Sequence, residues 1–117
     1  MRNKVILTGR LTADVELKQT QSGECVCDFD IAVARNNRND ATDFIKIEAW
    51  RATAVFAEKY LYKGALIEVE GSLRSRRWVD SEGKTRNETY VRASEIVFAP
   101  INTPQKALQK DDNETTE

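Results

Sequence analysis

Along most of this chain apolar and polar residues alternate with period two, the signature of half-buried strands. In residues 4–11, Val5, Leu7, Gly9 and Leu11 fall on one side. In residues 24–34 the inward set is Cys25, Cys27, Phe29, Ile31 and Val33, with Asp28 and Asp30 outward. Residues 43–50 repeat the pattern, turning Ile45, Ile47 and Ala49 inward and Phe44, Lys46, Glu48 and Trp50 outward. Polar stretches at 19–23 and 36–40 read as a turn and a loop.

The period then changes. Over residues 52–62, Ala54, Val55, Ala57, Glu58, Tyr60 and Leu61 recur at helical spacing with no glycine or proline, and Lys63-Gly64 supplies a basic last turn and a stop. Residues 65–78 predict a long strand, 80–83 a turn and 84–98 the returning strand. Three strands, a helix and a long hairpin are the element order of an OB-fold, so the expected fold is all-β with one helix: a five-stranded Greek-key barrel. Residues 1–100 are expected to form this domain and 101–117 a disordered acidic tail.

The long hairpin concentrates the chemistry. In Gly71-Ser72-Leu73-Arg74-Ser75-Arg76-Arg77-Trp78, period two puts Arg74, Arg76 and Trp78 on one face and Ile67, Val69, Gly71 and Leu73 on the other. A row of cations ending in an exposed indole suits a polyanion whose units carry flat π-faces, which describes single-stranded nucleic acid. The competing reading is a hydrophilic hairpin whose tryptophan folds back onto the domain. On the outward face of residues 43–50, Phe44 and Trp50 alternate with charged groups where a plain solvated face would be polar, so both join Trp78 as stacking candidates. Trp50 abuts the helix and is therefore also a candidate for partial burial. The cluster Arg74, Arg76, Arg77, Lys84 and Arg86 supplies the phosphate candidates, with Arg2, Lys4, Arg10, Arg35 and Lys46 as secondary ones. Asp28 and Asp30 oppose the reading if they share that face.

Composition narrows the classes. The chain has 117 residues, 40% hydrophobic and 32% charged, a range typical of one globular domain. Its net charge of −1 conceals an asymmetry. Residues 74–92 hold six basic side chains (Arg74, Arg76, Arg77, Lys84, Arg86, Arg92) against three acidic ones (Asp80, Glu82, Glu88). A ligand feels this local field, since screening cuts off charges beyond about 8 Å.

There is no histidine, which removes the commonest general base and most zinc sites. The two cysteines, Cys25 and Cys27, sit about 6.5 Å apart along an extended chain and aim poorly for a bridge, so both read as small core residues. No glycine-rich phosphate loop or nucleophile elbow occurs, and nothing pairs Cys25 with a base. No enzyme activity, metal or cofactor is expected. The apolar segment at the start is too short for a signal peptide and no run approaches a membrane span, so a cytoplasmic location and no membrane partner are expected.

Several segments carry a family resemblance: Asn3-Lys4-Val5-Ile6-Leu7-Thr8-Gly9-Arg10-Leu11, Phe29-Asp30-Ile31-Ala32-Val33-Ala34-Arg35, Asp43-Phe44-Ile45, Tyr62-Lys63-Gly64, and residues 68–78. In this order and spacing the chain resembles the bacterial and phage single-stranded-DNA-binding proteins over nearly all of residues 2–99. The resemblance implies an OB-fold, usually a homotetramer, around which single-stranded DNA wraps without sequence preference during replication, recombination or repair. It implies stacking roles for Phe44, Trp50 and Trp78. A further family aromatic falls near Asn37, and many members end in an acidic tip closing with Pro-Phe that recruits replication and repair enzymes. Here the last residues are Asp111-Asp112-Asn113-Glu114-Thr115-Thr116-Glu117, acidic without the apolar close, which puts recruitment by the tail in doubt. Two further classes stay open: a primosome-type adaptor that mainly docks a protein, and an RNA-binding OB module.

Overall fold

The computed structural model describes residues 1–36 and 41–100. The expected tail at 101–117 and the position of Asn37 lie outside the described residues. Six strands and one helix follow one another: β1 (Val5–Leu11), β2 (Lys18–Gln19), β3 (Cys25–Ala34), β4 (Thr42–Trp50), α1 (Arg51–Tyr60), β5 (Leu66–Val79) and β6 (Thr85–Phe98). They form one sheet in the order β1-β5-β6-β4-β3-β2. β1 also pairs with β3 through Arg10↔Ala32 and Leu11↔Ile31, so the long strands close partly into a ring. All pairings are antiparallel except a short parallel contact between β4 and β6, where Ile47 meets Val91 and Glu48 meets Arg92.

The alternation read from the sequence holds. Leu11, Cys27, Phe29, Ile31, Ile47, Ala49, Ile67, Val69, Val91 and Ile96 line the interior, where each fully buried aliphatic side chain contributes about 1.5–3 kcal/mol. Burial pushes the Cys27 thiol up to about 11, the nearby acids Asp28 and Glu58 adding to it; Cys25 is only half-buried, and both thiols are free. Gly9 is required by close approach, because a Cβ there would lie 2.6 Å from the Ala32 carbonyl oxygen. Gly71 meets the same condition against the Arg92 carbonyl, beside a bulge at Glu70/Gly71. Asn3 extends the β1–β5 ladder by a side chain: its Nδ2 donates to the Leu73 carbonyl at 2.8 Å and its Oδ1 accepts from the Leu73 amide at 2.7 Å.

Four expectations are corrected. A sixth strand, β2, stands where the polar turn was read to begin; it pairs with Cys25 and Val26 once Thr20 and Glu24 have closed the turn. The helix spans Arg51–Tyr60 and ends at Leu61, whose amide donates to Ala57, so Lys59 is the last-turn base. Gly64 instead takes a positive φ of 89° in a separate turn and donates to the Leu11 carbonyl, tying the helix exit to β1. Val55 and Tyr60 face outward, and the buried helical stripe is Ala54, Ala57 and then Leu61, small enough for the helix to lie close against β3 and β4. Leu73 is exposed although its partner Val91 is buried, because the β1 ladder along β5 ends at Val5 opposite Gly71.

Candidate nucleic-acid interface

Register assembles the outward face. Pairs standing directly opposite share a side of the sheet, so Asp30↔Lys46, Asp28↔Glu48 and Glu48↔Arg92 carry one surface from β3 across β4 to β6. Ser72↔Arg92, Arg74↔Tyr90, Arg76↔Glu88 and Trp78↔Arg86 continue it onto β5. The surface therefore collects all three stacking candidates along with Arg74, Arg76, Arg86 and Lys46.

Phe44 stands 67% exposed and Trp78 43% exposed. Trp50 is half-buried: its Nε1 donates to Glu48 Oε1 at 2.8 Å, and the Arg92 guanidinium lies over its ring, 4.7 Å from the centroid. Arg51, the only non-glycine residue with positive φ (53°) among the described residues, also stands 5.9 Å from that ring while pairing with Glu24 at 3.0 Å.

Glu48 is the centre of the surface and is 6% exposed. Besides the indole, its carboxylate accepts from Arg92 Nε at 3.0 Å and from Arg76 Nη2 at 2.8 Å. Burial opposes ionisation of this carboxyl, but the hydrogen bonds from Trp50, Arg76 and Arg92 and the charge of Arg76 hold its pKa below the ordinary carboxylate value. Arg76 reaches Glu88 as well, at 3.3 Å, and Glu88 accepts from Lys46 at 2.9 Å. The hydrogen bond to Glu48 raises the pKa of Arg76 and the one to Glu88 raises that of Lys46, so each is held charged by its carboxylate partner. Asp28 lies 3.8 Å from Lys46, so the acid shares the face and pairs with that lysine.

The other basic candidates separate by partner. Arg74 donates to Ser72 Oγ at 3.3 Å and Arg77 to Asn87 Oδ1 at 3.1 Å; neither these two nor Lys84 or Arg2 forms an ion pair among the described residues. Arg77 alternates away from Arg76 and points to the opposite side of the hairpin. Arg86 pairs with Asp80 at 2.8 Å. Asp80 also accepts from the amides of Glu82 and Lys84, which with Arg86 lower its carboxyl pKa and shape the turn that carries Lys84. Arg35 forms a two-pronged pair with Asp43 at the far end of β3–β4, Arg10 is tied to the Gly64 carbonyl, and Lys4 pairs with Glu70 at 2.9 Å.

Two grooves flank the Glu48 cluster. One, about 360 Å³, brings Lys4, Arg74 and Arg92 together with Asn3, Glu70 and Ser72. The other, about 540 Å³, lies beside Phe44 and Lys46 and is lined by Asp14, Asp28, Asp30 and Glu88. The first groove gathers mostly basic side chains and the second mostly acidic ones.

Tyr90, Arg92, Glu48 and Glu88 were absent from the sequence-derived site. The signal for the three on β6 was the alternation Glu88, Tyr90, Arg92, in step with Arg76 and Arg74 across the hairpin, and that for Glu48 was its outward place in the row of Phe44, Lys46 and Trp50.

A small β-protein whose strands display exposed aromatics among guanidinium groups presents a binding surface. The chain belongs to the Single-strand binding protein family, whose profile it matches over residues 2–99, and the partly closed ring is thus an OB-fold. It is 43% identical over 102 residues to a single-stranded DNA-binding protein of Thermotoga maritima, covering 82% of this chain and 72% of that one. Single-stranded DNA-binding protein 1 of Staphylococcus aureus is 43% identical over 108 residues, covering 88% and 69%. The single-stranded DNA-binding protein of Treponema pallidum is 35% identical over 99 residues; the match takes in 80% of this chain and only 56% of that relative's length.

Proposed function

We propose that this chain binds single-stranded DNA without sequence preference, holding bases on Phe44 and Trp78, with Trp50 at the platform's inner edge. The observation that carries the reading is that Phe44 on β4 and Trp78 on β5 stay exposed on one face of the sheet, with cations interleaved between them. Arg74, Lys84, Arg77 and Arg2 supply the main phosphate contacts, and Arg86, Lys4, Arg76, Lys46, Arg10 and Arg35 contribute less because each is already bonded within the protein. The family relatives named single-stranded DNA-binding proteins support the same ligand. The work is binding, not catalysis: a coat that keeps strands open during replication, recombination or repair in the cytoplasm. No helix among the described residues is long and apolar enough to cross a membrane.

Residues 1–100 act as the binding domain in this reading, with 101–117 an appendage to it. Assembly into a homotetramer is supported by the outer flank of β1, β5 and β6, where Ile6 and Val97 are exposed beside Glu68, Glu70 and Glu95. That flank also leaves most of one β1 edge without a strand partner among the described residues.

Quenching of tryptophan fluorescence by oligo-dT, oligo-U and duplex DNA tests the function. Strong saturable quenching by oligo-dT with weak response to duplex is expected. An equal response to oligo-U assigns the face to RNA, and weak response to all three assigns the chain to protein docking.

A further inference from the structure

We infer that Glu48 is the positioning residue of the binding face: a buried carboxylate that clamps the Trp50 indole and the Arg76 and Arg92 guanidinium groups into one pre-set platform for bases. The inference rests on the proposed function of this face and adds a chain-specific device to it.

Glu48 occupies an outward position of β4, in row with Phe44, Lys46 and Trp50. A glutamate there would ordinarily extend into water. It is buried because Arg76, from 28 residues along the chain, and Arg92, from 44 residues along, close over it. Both oxygens are occupied: Oε1 takes the indole N–H and Arg92, and Oε2 takes Arg76. Each guanidinium then stands over an aromatic ring, Arg92 over Trp50 at 4.7 Å and Arg76 over Tyr90 at 4.1 Å from the centroid.

Stability alone gives a weak reason for this arrangement. A well-packed apolar side chain of similar volume is usually at least as stabilising at a buried ionic position, because it avoids the desolvation of the charges. An apolar side chain would leave the indole free to turn and both guanidinium groups free to swing. The carboxylate fixes three planar groups at once, before any ligand arrives, which removes an ordering cost from binding.

The clamp also redistributes charge. With Glu48 and Glu88 against Arg76 and Arg92, the middle of the face is close to neutral, so its arginines offer planar surfaces for stacking. Net positive charge is left to Arg74 and Lys84 on either side.

The sequence contains two tryptophans, so Trp78→Phe leaves Trp50 as the sole reporter. In that background, Glu48→Gln should lower the steady-state fluorescence anisotropy of Trp50 in the absence of DNA, since the amide keeps one acceptor oxygen and turns a donor toward an arginine. Oligo-dT affinity at high salt should fall several-fold although the face has gained a positive charge. The log-affinity against log-salt slope should steepen by up to about 0.7 as Arg76 is released to a phosphate. Glu48→Asp, which keeps the charge and withdraws the carboxylate, should lower affinity without that change in slope. Unchanged anisotropy overturns the clamp, and affinity that rises at every salt concentration reduces Glu48 to a counter-charge and overturns it too. Should Glu48→Gln fail to fold, Arg92→Lys strips the cover from the indole at a more exposed position; the same fall in anisotropy supports the clamp and its absence overturns it. A parent protein that ignores oligo-dT overturns the function of the face, a result separable from the anisotropy because that is read without DNA.

Discussion

Arg76 lays its guanidinium 4.1 Å from the centroid of the Tyr90 ring, and Tyr90 is buried beneath it although it points to the outer side of the sheet. The arginine is thus a lid on one side and a surface on the other, with its edge N–H groups given to Glu48 and Glu88. Phosphate must compete with two carboxylates for it.

Cations on this face should therefore fall into two classes. Lys84→Ala, which removes a side chain with no carboxylate partner among the described residues, should lower the magnitude of the salt slope by about 0.7 with little change in thermal stability. Arg76→Ala should change the slope less and lower stability by on the order of 1 kcal/mol, a figure discounted for its 42% exposed side chain. Salt-series titrations and thermal melts of the two variants check this; equal slope losses with equal stability would contradict it.

Trp78→Ala should weaken oligo-dT binding by about 1–3 kcal/mol, the range for one base–aromatic stack. Its ring is 43% exposed near the hairpin end, so the melting temperature should barely move. A clear loss of stability at constant affinity would make Trp78 a packing residue.

Acid should unfold the protein through the carboxylates that the structure holds ionised. The pKa of Glu48 lies below its ordinary value of 4.5, and those of Asp43 and Asp80 lie below 3.8. Because the folded values are the lower ones, the stabilisation is complete above the ordinary values and is lost as pH falls through the folded ones. Melting temperatures should hold steady down to about pH 5 and then decline, and Glu48→Gln should flatten the upper part of that decline. An identical acid limb in the variant would show that Glu48 is not linked to folding in this way.

Gly71→Ala should destabilise the fold by about 1–3 kcal/mol, because the added Cβ meets the Arg92 carbonyl and the strands must part. The displacement reaches the site, since Arg92 is the residue that covers Trp50. Chemical denaturation and the Trp50 emission spectrum should change together. Gly83→Ala, strained by its φ of 82° but with open space around its Cβ, should leave the Trp50 spectrum unchanged.

Period-two patterning carried the strands and the outer row Phe44, Lys46, Glu48, Trp50 without help from any fold, because neighbouring residues decide which side faces the core. It could not reveal that Glu48 is buried, since its cover comes from β5 and β6. Charge counting made Arg76 a phosphate candidate and Lys46 a secondary one without showing their carboxylate partners, which are remote in sequence. The strand Lys18–Gln19 left no hydrophobic trace, as both residues are exposed and only the turn brings them against β3. The helix end was misplaced because Gly64 resembles a helix stop, yet serves a turn bonded to Leu11.

The central claim is that single-stranded DNA lies across Phe44 and Trp78, and a second set of exposed aromatics gives it a sharp rival: Tyr62 stands 6.3 Å from Phe98, with Tyr60 exposed nearby in sequence. Photo-crosslinking with oligonucleotides carrying 5-iodouracil, followed by mass-spectrometric mapping, reads which rings the bases touch. Adducts at Phe44 and Trp78 that disappear under excess oligo-dT are the predicted result. Adducts confined to Tyr60, Tyr62 and Phe98 would contradict the account.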